Sequence, residues 1–315
     1  MSYLFRREIN NWHSWGAVYQ SIEDFRLLIE EIFAREQLTG AEHISHLKPG
    51  TNAVFKTGDY VIKIVAPLES GLDTDLDYRA EQTAMQRAIQ QGIRTPSIVA
   101  AGTLEDKYAF KYLIMDYIEG ESAGDVFTQL TLEKKKQFIE EMQHNLSKLN
   151  IRPDEEFSRE FIINRALHNE RWHIVAPEVG KQINDYLREY KIQTYVHVHG
   201  DLTGDNVLIN SIGQLYIIDF ADSTIAPVEY EFPPIIFELL QSDIEGIFEF
   251  IKGLGMKYNE FIDRLFAGTL MHDFGANFVR AIYEKYTGRE ITELNDIFEI
   301  KRLLHKHLLP NSLIT

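Results

Sequence analysis

The strongest constraint on this chain's fold is a change of periodicity near residue 120. Ahead of it lie short β-prone runs. HISHLKPGTNAVFKTGDYVIKIV (43–65) holds three, divided by Pro49-Gly50 and Thr57-Gly58-Asp59, and SIVAAGTLE and YAFKYLIMDYI follow after Thr95-Pro96. β-Branched and aromatic residues between turn formers predict antiparallel strands. One helix is predicted inside this region, over 76–91, ending at Gly92. An amphipathic helix precedes it at 21–38, with Ser21 as N-cap and Phe25, Leu28, Ile29, Ile32 and Phe33 as its apolar stripe. Trp12 and Trp15, ahead of that helix, are expected to pack back on the body.

Beyond residue 120 the pattern is mainly helical: 131–149, 157–170, 177–190, then about 233 to 308. Two short strands, near 207–209 and 215–219, interrupt it around Ser211-Ile212-Gly213. Strands grouped early and helices grouped late predict an α+β chain with two lobes. The N-terminal lobe, 1–117, is an antiparallel sheet with one inserted helix and a helical extension. The C-terminal lobe, 118–315, is larger and mainly helical.

Composition narrows the function classes. With 48 acidic against 32 basic residues the net charge is −16, which disfavours nucleic acid or an anionic membrane as partner. The chain has no Cys, so thiolate metal sites and thiol nucleophiles are excluded. No run approaches the ~18 apolar residues of a spanning helix, and the first residues lack the apolar stretch of a secretory signal. The expectation is a cytoplasmic protein.

The densest chemistry lies in HVHGDLTGDNVLIN, residues 197–210. Asn206 leads into Val207-Leu208-Ile209, and Asp219 ends the next strand. A tight ribbon turning at Gly213 would place Asn206 and Asp219 side by side, as oxygen ligands for a hard cation such as Mg²⁺. Asp201 would then be left to orient a nucleophile and accept its proton, the division of labour that phosphoryl transfer needs. A turn rich in Asp, Asn and Gly is otherwise an ordinary loop. His199 reads as a structural brace, His197 as a strand residue, Asp205 and Asp222 as turn residues.

Lys63 lies between two Ile in Val61-Ile62-Lys63-Ile64. Such a Lys is either a gatekeeper on an edge strand or a phosphate ligand. Glu81 shares a helix line with Met85 and Ile89, and a carboxylate on a sheet-facing stripe needs a cation; Lys63 is the obvious partner, with Asp77 a competitor.

His199-Gly200-Asp201-Leu202 … Asn206-Val207-Leu208-Ile209, followed by Ile217-Ile218-Asp219-Phe220, resembles the aminoglycoside phosphotransferase family of small-molecule kinases. The resemblance implies a two-lobed protein-kinase-like fold, Asp201 as catalytic base, and Asn206 and Asp219 holding magnesium. It implies ATP or GTP as phosphoryl donor, with Lys63, braced by Glu81, on the phosphates. Leu113–Ile118 resembles the hinge: Met115 would wall the base, and the Asp116 carbonyl and Ile118 amide would read its edge. The loop Lys48-Pro49-Gly50-Thr51-Asn52-Ala53 has one Gly where protein kinases have three, leaving Gly50 and the next amides as candidate phosphate contacts. Glu231, in Val228-Glu229-Tyr230-Glu231-Phe232, is similar to the hygromycin-type branch. The helical stretch 153–195 would cap a small hydroxylated, cationic acceptor, such as an aminoglycoside or amino sugar; antibiotic resistance would be the role in that case. The alternatives are a kinase of another metabolite, a nucleotide-binding pseudokinase scaffold, a protein kinase and an Asp/His hydrolase. No Ala-Pro-Glu segment follows Asp219 as a protein kinase would require, and a hydrolase leaves Lys63 and Glu81 without a purpose.

Overall fold

The computed structural model describes residues 3–48, 50–72, 74–154 and 159–308. Pro49, part of the first expected turn, and the start of the helix expected from 157 lie outside these residues. The chain divides into two compact units, 1–90 with 94–119, and 91–93 with 120–315.

In the first unit, β1 (Ile44–His46), β2 (Ala53–Thr57), β3 (Tyr60–Ile64), β4 (Ile98–Glu105) and β5 (Ala109–Asp116) form an antiparallel sheet in the order β1-β2-β3-β5-β4. Its helices are α1 (Trp12–Gly16), α2 (Ile22–Arg35) and α3 (Asp75–Gln90). Successive side chains along a strand point to opposite faces. Ile62 and Ile64 therefore join Phe55, Phe110, Tyr112 and Ile114 on the face packed against Phe25, Ile29 and Phe33 of α2. Phe25 is the centre of this packing, with ring centroids 5.0 Å from Phe5 and 5.7 Å from Phe55.

The expectation that both tryptophans pack holds for Trp15 alone. Trp15 is fully buried, and its indole N–H donates to the Thr51 carbonyl at 2.9 Å, whereas Trp12 is exposed. On α3 the buried residues are Glu81, Ala84, Met85 and Ala88, and Ile89 is exposed, contrary to the expected line through Glu81 and Met85. Eight residues at ~100° each overshoot two turns by roughly 80°, which carries Ile89 off the buried face.

The second unit begins with β6 (Glu121–Ser122) and α4 (Ala123–Val126), then α5 (Leu132–Leu149), α6 (Arg159–Leu167) and α7 (Pro177–Glu189). Strands β7 (Tyr195–Val198), β8 (Val207–Ile209), β9 (Leu215–Ile217) and β10 (Thr224–Pro227) precede α8 (Ile244–Leu254), α9 (Tyr258–Met271), α10 (Gly275–Thr287) and α11 (Phe298–His307). Two small antiparallel sheets, β6-β8-β9 and β10-β7, hold the central loop. The expected ribbon is β8-β9, with Gly213 turning it at φ 81°. Strands β6, β7 and β10 extend a region that the sequence presents as almost wholly helical. Among the described residues no helix is long and apolar enough to cross a membrane.

Candidate active site

In the first unit Lys63 occupies β3, the middle of five strands, so it cannot be an edge gatekeeper. Its side chain leaves the face opposite Ile62 and Ile64, where Glu81 of α3 meets it. The ammonium lies 2.9 Å from both Glu81 oxygens, and the two side chains are almost wholly buried. A buried carboxylate in an otherwise apolar helix stripe is tolerable only with such a partner.

The strand β5 runs on as a paired backbone. The Asp116 N–H donates to the Ser97 carbonyl at 3.1 Å and the Tyr117 N–H to the Asp59 carbonyl at 2.9 Å. Met115 is buried, and Asp116 and Ile118 are half-buried. Gly50 is exposed at the β1–β2 connection, and a Cβ there would meet nothing within 4 Å. The site thus gains no close approach from this glycine. Its neighbour Thr51 is the residue the Trp15 indole pins, and Asn52 accepts the Ala66 N–H at 3.1 Å.

In the second unit the loop between β7 and β8 is held by main-chain hydrogen bonds to buried side chains. His199 is fully buried, and burial pulls its pKa down to about 4, so it is neutral. Its Nδ1 accepts the Asp201 N–H at 3.2 Å, which leaves the proton on Nε2 to donate to the Ile218 carbonyl at 3.0 Å. One imidazole therefore ties the loop to Ile218, between the end of β9 and Asp219. Glu231 is the second anchor: it accepts the His199 N–H at 2.5 Å, the Gly200 N–H at 3.3 Å and the Asn150 amide at 3.3 Å. Burial pushes this carboxyl up to about 7, against the pull of the amide donors. Replacing Glu231 by Gln would turn an amide NH₂ toward one of these N–H donors. Glu231→Gln is expected to cost about 1–3 kcal/mol in chemical unfolding, and an unchanged unfolding midpoint would show that the anchor is dispensable.

Gly200 adopts φ 84°, and a Cβ there would lie 2.3 Å from the Asp222 carbonyl oxygen. No side chain fits without moving either the loop or the Asp222 backbone. Gly200→Ala is expected to destabilise the protein by several kcal/mol, ~1–3 of it from the backbone conformation, and to abolish activity. A melting temperature within a degree or so of wild type would contradict this geometry.

The three residues singled out in the sequence fall on this loop and the ribbon after it. The Asn206 amide N–H₂ donates to the Asp201 carbonyl and to Asp201 Oδ2, both at 2.8 Å. The Ile218 N–H donates to the Asn206 carbonyl at 2.9 Å, which brings the ends of the ribbon to one edge. Asp219 follows with φ 57°, a left-handed conformation that Asp tolerates better than most residues. The turn leaves Asp219 exposed while Phe220 enters the core, its ring 4.6 Å from His199. Asp201 is half-buried, and its pKa is pushed up to about 7, by burial first and then by the charges of Asp222 and Asp219. Asp205 accepts from the Ser122 hydroxyl at 3.3 Å and serves the turn.

A hard cation fits this donor set. Asn206 spends its NH₂ on Asp201, and its Oδ1 accepts from no side chain or amide among the described residues. Among the described residues no group of three or more His, Cys, Asp or Glu forms a closed metal cage. Mg²⁺ is commonly held by one or two protein oxygens together with substrate phosphates and water, and needs no such cage.

The sequence profile of the phosphotransferase enzyme family, named APH, matches residues 50–243, well over half the chain. The chain belongs to this family. No curated protein matches it in sequence. Among solved structures, an APH(2")-type enzyme in complex with GDP and kanamycin is similar at TM-score 0.61 and 14% identity, covering 89% of this chain and 98% of that one. A thermostable mutant of aminoglycoside phosphotransferase APH(4)-Ia, in ternary complex with ADP and hygromycin B, has TM-score 0.58 and 12% identity over 89% and 97%. The choline kinase LicA of Streptococcus pneumoniae has TM-score 0.54 and 14% identity over 89% and 97%. At such identities the likeness establishes the kinase-like α+β fold. The protein is accordingly a small-molecule phosphotransferase.

Of three residues that hold this phosphotransferase's loop, Asn150 and His272 escape a reading of the sequence, and Glu231 is visible there only without a role. All three bond to main-chain atoms of residues 197–200, and main-chain partners impose no spacing that a motif could reveal.

Proposed function

We propose that this phosphotransferase moves the γ-phosphoryl group of ATP or GTP to a hydroxyl of a small molecule, with Asp201 as the base. The observation that carries the proposal is the Asn206–Asp201 contact. One NH₂ fixes the Asp201 carboxylate and backbone together, while the Asn206 side-chain Oδ1 is left for a cation. Asn206 and Asp219 would hold Mg²⁺, which when bound offsets the charge of the donor phosphates. A carboxyl whose pKa stands near 7 suits proton acceptance from an alcohol at neutral pH, because a base works best when its pKa lies near the working pH. Asp201 takes the acceptor's hydroxyl proton as its oxygen bonds to phosphorus, and the nucleoside diphosphate leaves.

Lys63, held by both oxygens of Glu81, would bind the α/β-phosphates. The buried pair supports this role because the Glu81 carboxylate fixes the direction of the ammonium. Met115, the Asp116 carbonyl and the Ile118 amide would receive the base, and the Gly50 segment the outer phosphates. For the acceptor we propose a hydroxylated amine, a class that includes aminoglycosides and amino sugars. Asp219, Asp222 and Glu238 all act electrostatically on Asp201, and such a field favours a cationic acceptor.

Mg²⁺ with ATP or GTP is expected to raise the melting temperature. Binding at 100 times Kd adds about 2.7 kcal/mol. Asp219→Ala is expected to remove the magnesium dependence of that shift. No shift with either nucleotide, or an Asp219→Ala protein with unaltered metal dependence, would count against the assignments.

A further inference from the structure

The Gly200 peptide is gripped on both sides. Glu231 accepts its N–H, and on the carbonyl side His272 Nε2 lies 2.9 Å from the Gly200 oxygen. His272 follows the last turn of α9 and is 1% exposed. Its Nδ1 accepts the Phe274 N–H at 3.0 Å, so Nε2 carries the proton and donates to Gly200. The ring itself is held: Tyr230 stacks on it with centroids 4.4 Å apart, and the Tyr230 hydroxyl accepts the N–H of Asp273 at 3.2 Å. Asp273 is fixed in turn by a two-pronged ion pair with Arg165 of α6, and its carbonyl accepts the Asn169 amide at 2.7 Å.

Gly200 is where the loop has least freedom to adjust. Its left-handed φ and its closeness to the Asp222 carbonyl leave one workable backbone path, and the next residue is Asp201. A hydrogen bond to the Gly200 carbonyl fixes the plane of the peptide that joins Gly200 to Asp201, and with it the direction in which the Asp201 side chain departs. His199 and Asn206 hold Asp201 from its other neighbours, but neither reaches this carbonyl.

We infer that His272 is a positioning residue for Asp201, acting through the Gly200 carbonyl, with Tyr230 and the Arg165–Asp273 pair holding the imidazole in register. This rests on the assignment of Asp201 as the base. His272 is buried and spends both ring nitrogens on main-chain groups, so its loss should lower turnover and leave nucleotide affinity alone. A purely structural histidine would give a drop in stability without that split.

Three variants decide the matter. Gln reaches as far as Nε2 and can donate to Gly200. Asn reaches only to Nδ1, where it can serve Phe274. Phe keeps the stacking on Tyr230 and offers neither bond. Each is compared with wild type in two measurements: magnesium-dependent release of nucleoside diphosphate with water as acceptor, and amide hydrogen exchange across 199–203. His272→Asn and His272→Phe are expected to lose about 10- to 100-fold in kcat, with KM for the nucleotide within about twofold of wild type. Their amides at 199–203 should exchange faster while those of α9 stay protected, and His272→Gln should recover most of both. If His272→Phe does not fold, the contrast between Gln and Asn carries the same information. Wild-type kcat and protection in the Asn variant, or equal loss in Gln and Asn, would overturn the inference. A wild-type protein that transfers phosphate neither to water nor to any hydroxylated amine would instead refute the role given to Asp201, and the exchange data would still report whether His272 holds the loop.

Discussion

Asp201→Asn is expected to lose about 10²–10⁴-fold in kcat, the range supplied by a positioned base, while nucleotide binding persists. Without bound metal it is also expected to be more stable than wild type above pH 7. The Asp201 carboxyl has a pKa near 7 in the folded protein, against 3.8 as its ordinary value. Its contribution to stability is therefore fully present below pH 3.8 and lost as pH rises through 7. Above that pH the wild-type protein keeps a partly buried charge beside Asp222 and Asp219, and Asn does not. The gap should reach a few kcal/mol, at ~1.4 kcal/mol per unit of pKa difference, and should close as pH falls toward 4. Thermal unfolding of the two proteins between pH 4 and 8 checks the sign. An Asp201→Asn protein that turns over at the wild-type rate would remove Asp201 as base, and one less stable than wild type at pH 8 would refute the electrostatic account.

Glu81→Ala is expected to cost about 3–5 kcal/mol, the usual penalty for breaking a buried ion pair by removing one side of it. Lys63 sits on the central strand and is 5% exposed, so it has no ready path to solvent. The double replacement Lys63→Met with Glu81→Leu should recover much of that loss, since two apolar side chains of similar size can take the place of a buried pair. It should not recover activity, because the ammonium assigned to the phosphates is gone. Urea unfolding of Lys63→Met, Glu81→Leu and the double variant measures the coupling. A double variant that still binds nucleotide like wild type would exclude Lys63 from the phosphate site.

These features differ in how visible they are in the sequence, and the physical reasons differ too. Lys63 and Glu81 are visible because each is a charge in an apolar pattern, one on a strand and one on a helix face, and a buried charge needs a partner. Asp201, Asn206 and Asp219 are visible because a short ribbon with one turn at Gly213 leaves little choice in where its ends meet. Strands β6, β7 and β10 are not visible. They span two to four residues each, too few for alternation to register, and they form because neighbouring strands offer hydrogen-bond partners. His272 is least visible of all, since it lies 72 residues from the carbonyl it serves and ends an ordinary apolar helix. The misplaced Ile89 shows a further limit: an i, i+4, i+8 line drifts around a helix, and the buried face follows Ala84 and Ala88 instead.

The most direct test is release of nucleoside diphosphate from Mg²⁺ with ATP or GTP, measured for wild type and Asp201→Asn across a panel of hydroxylated amines that includes aminoglycosides. The expected result is acceptor-dependent release by wild type, with a phosphate ester formed on a hydroxyl of at least one amine, and near-complete loss in Asp201→Asn. Equal release by both proteins, or phosphate found on no acceptor hydroxyl, would contradict it.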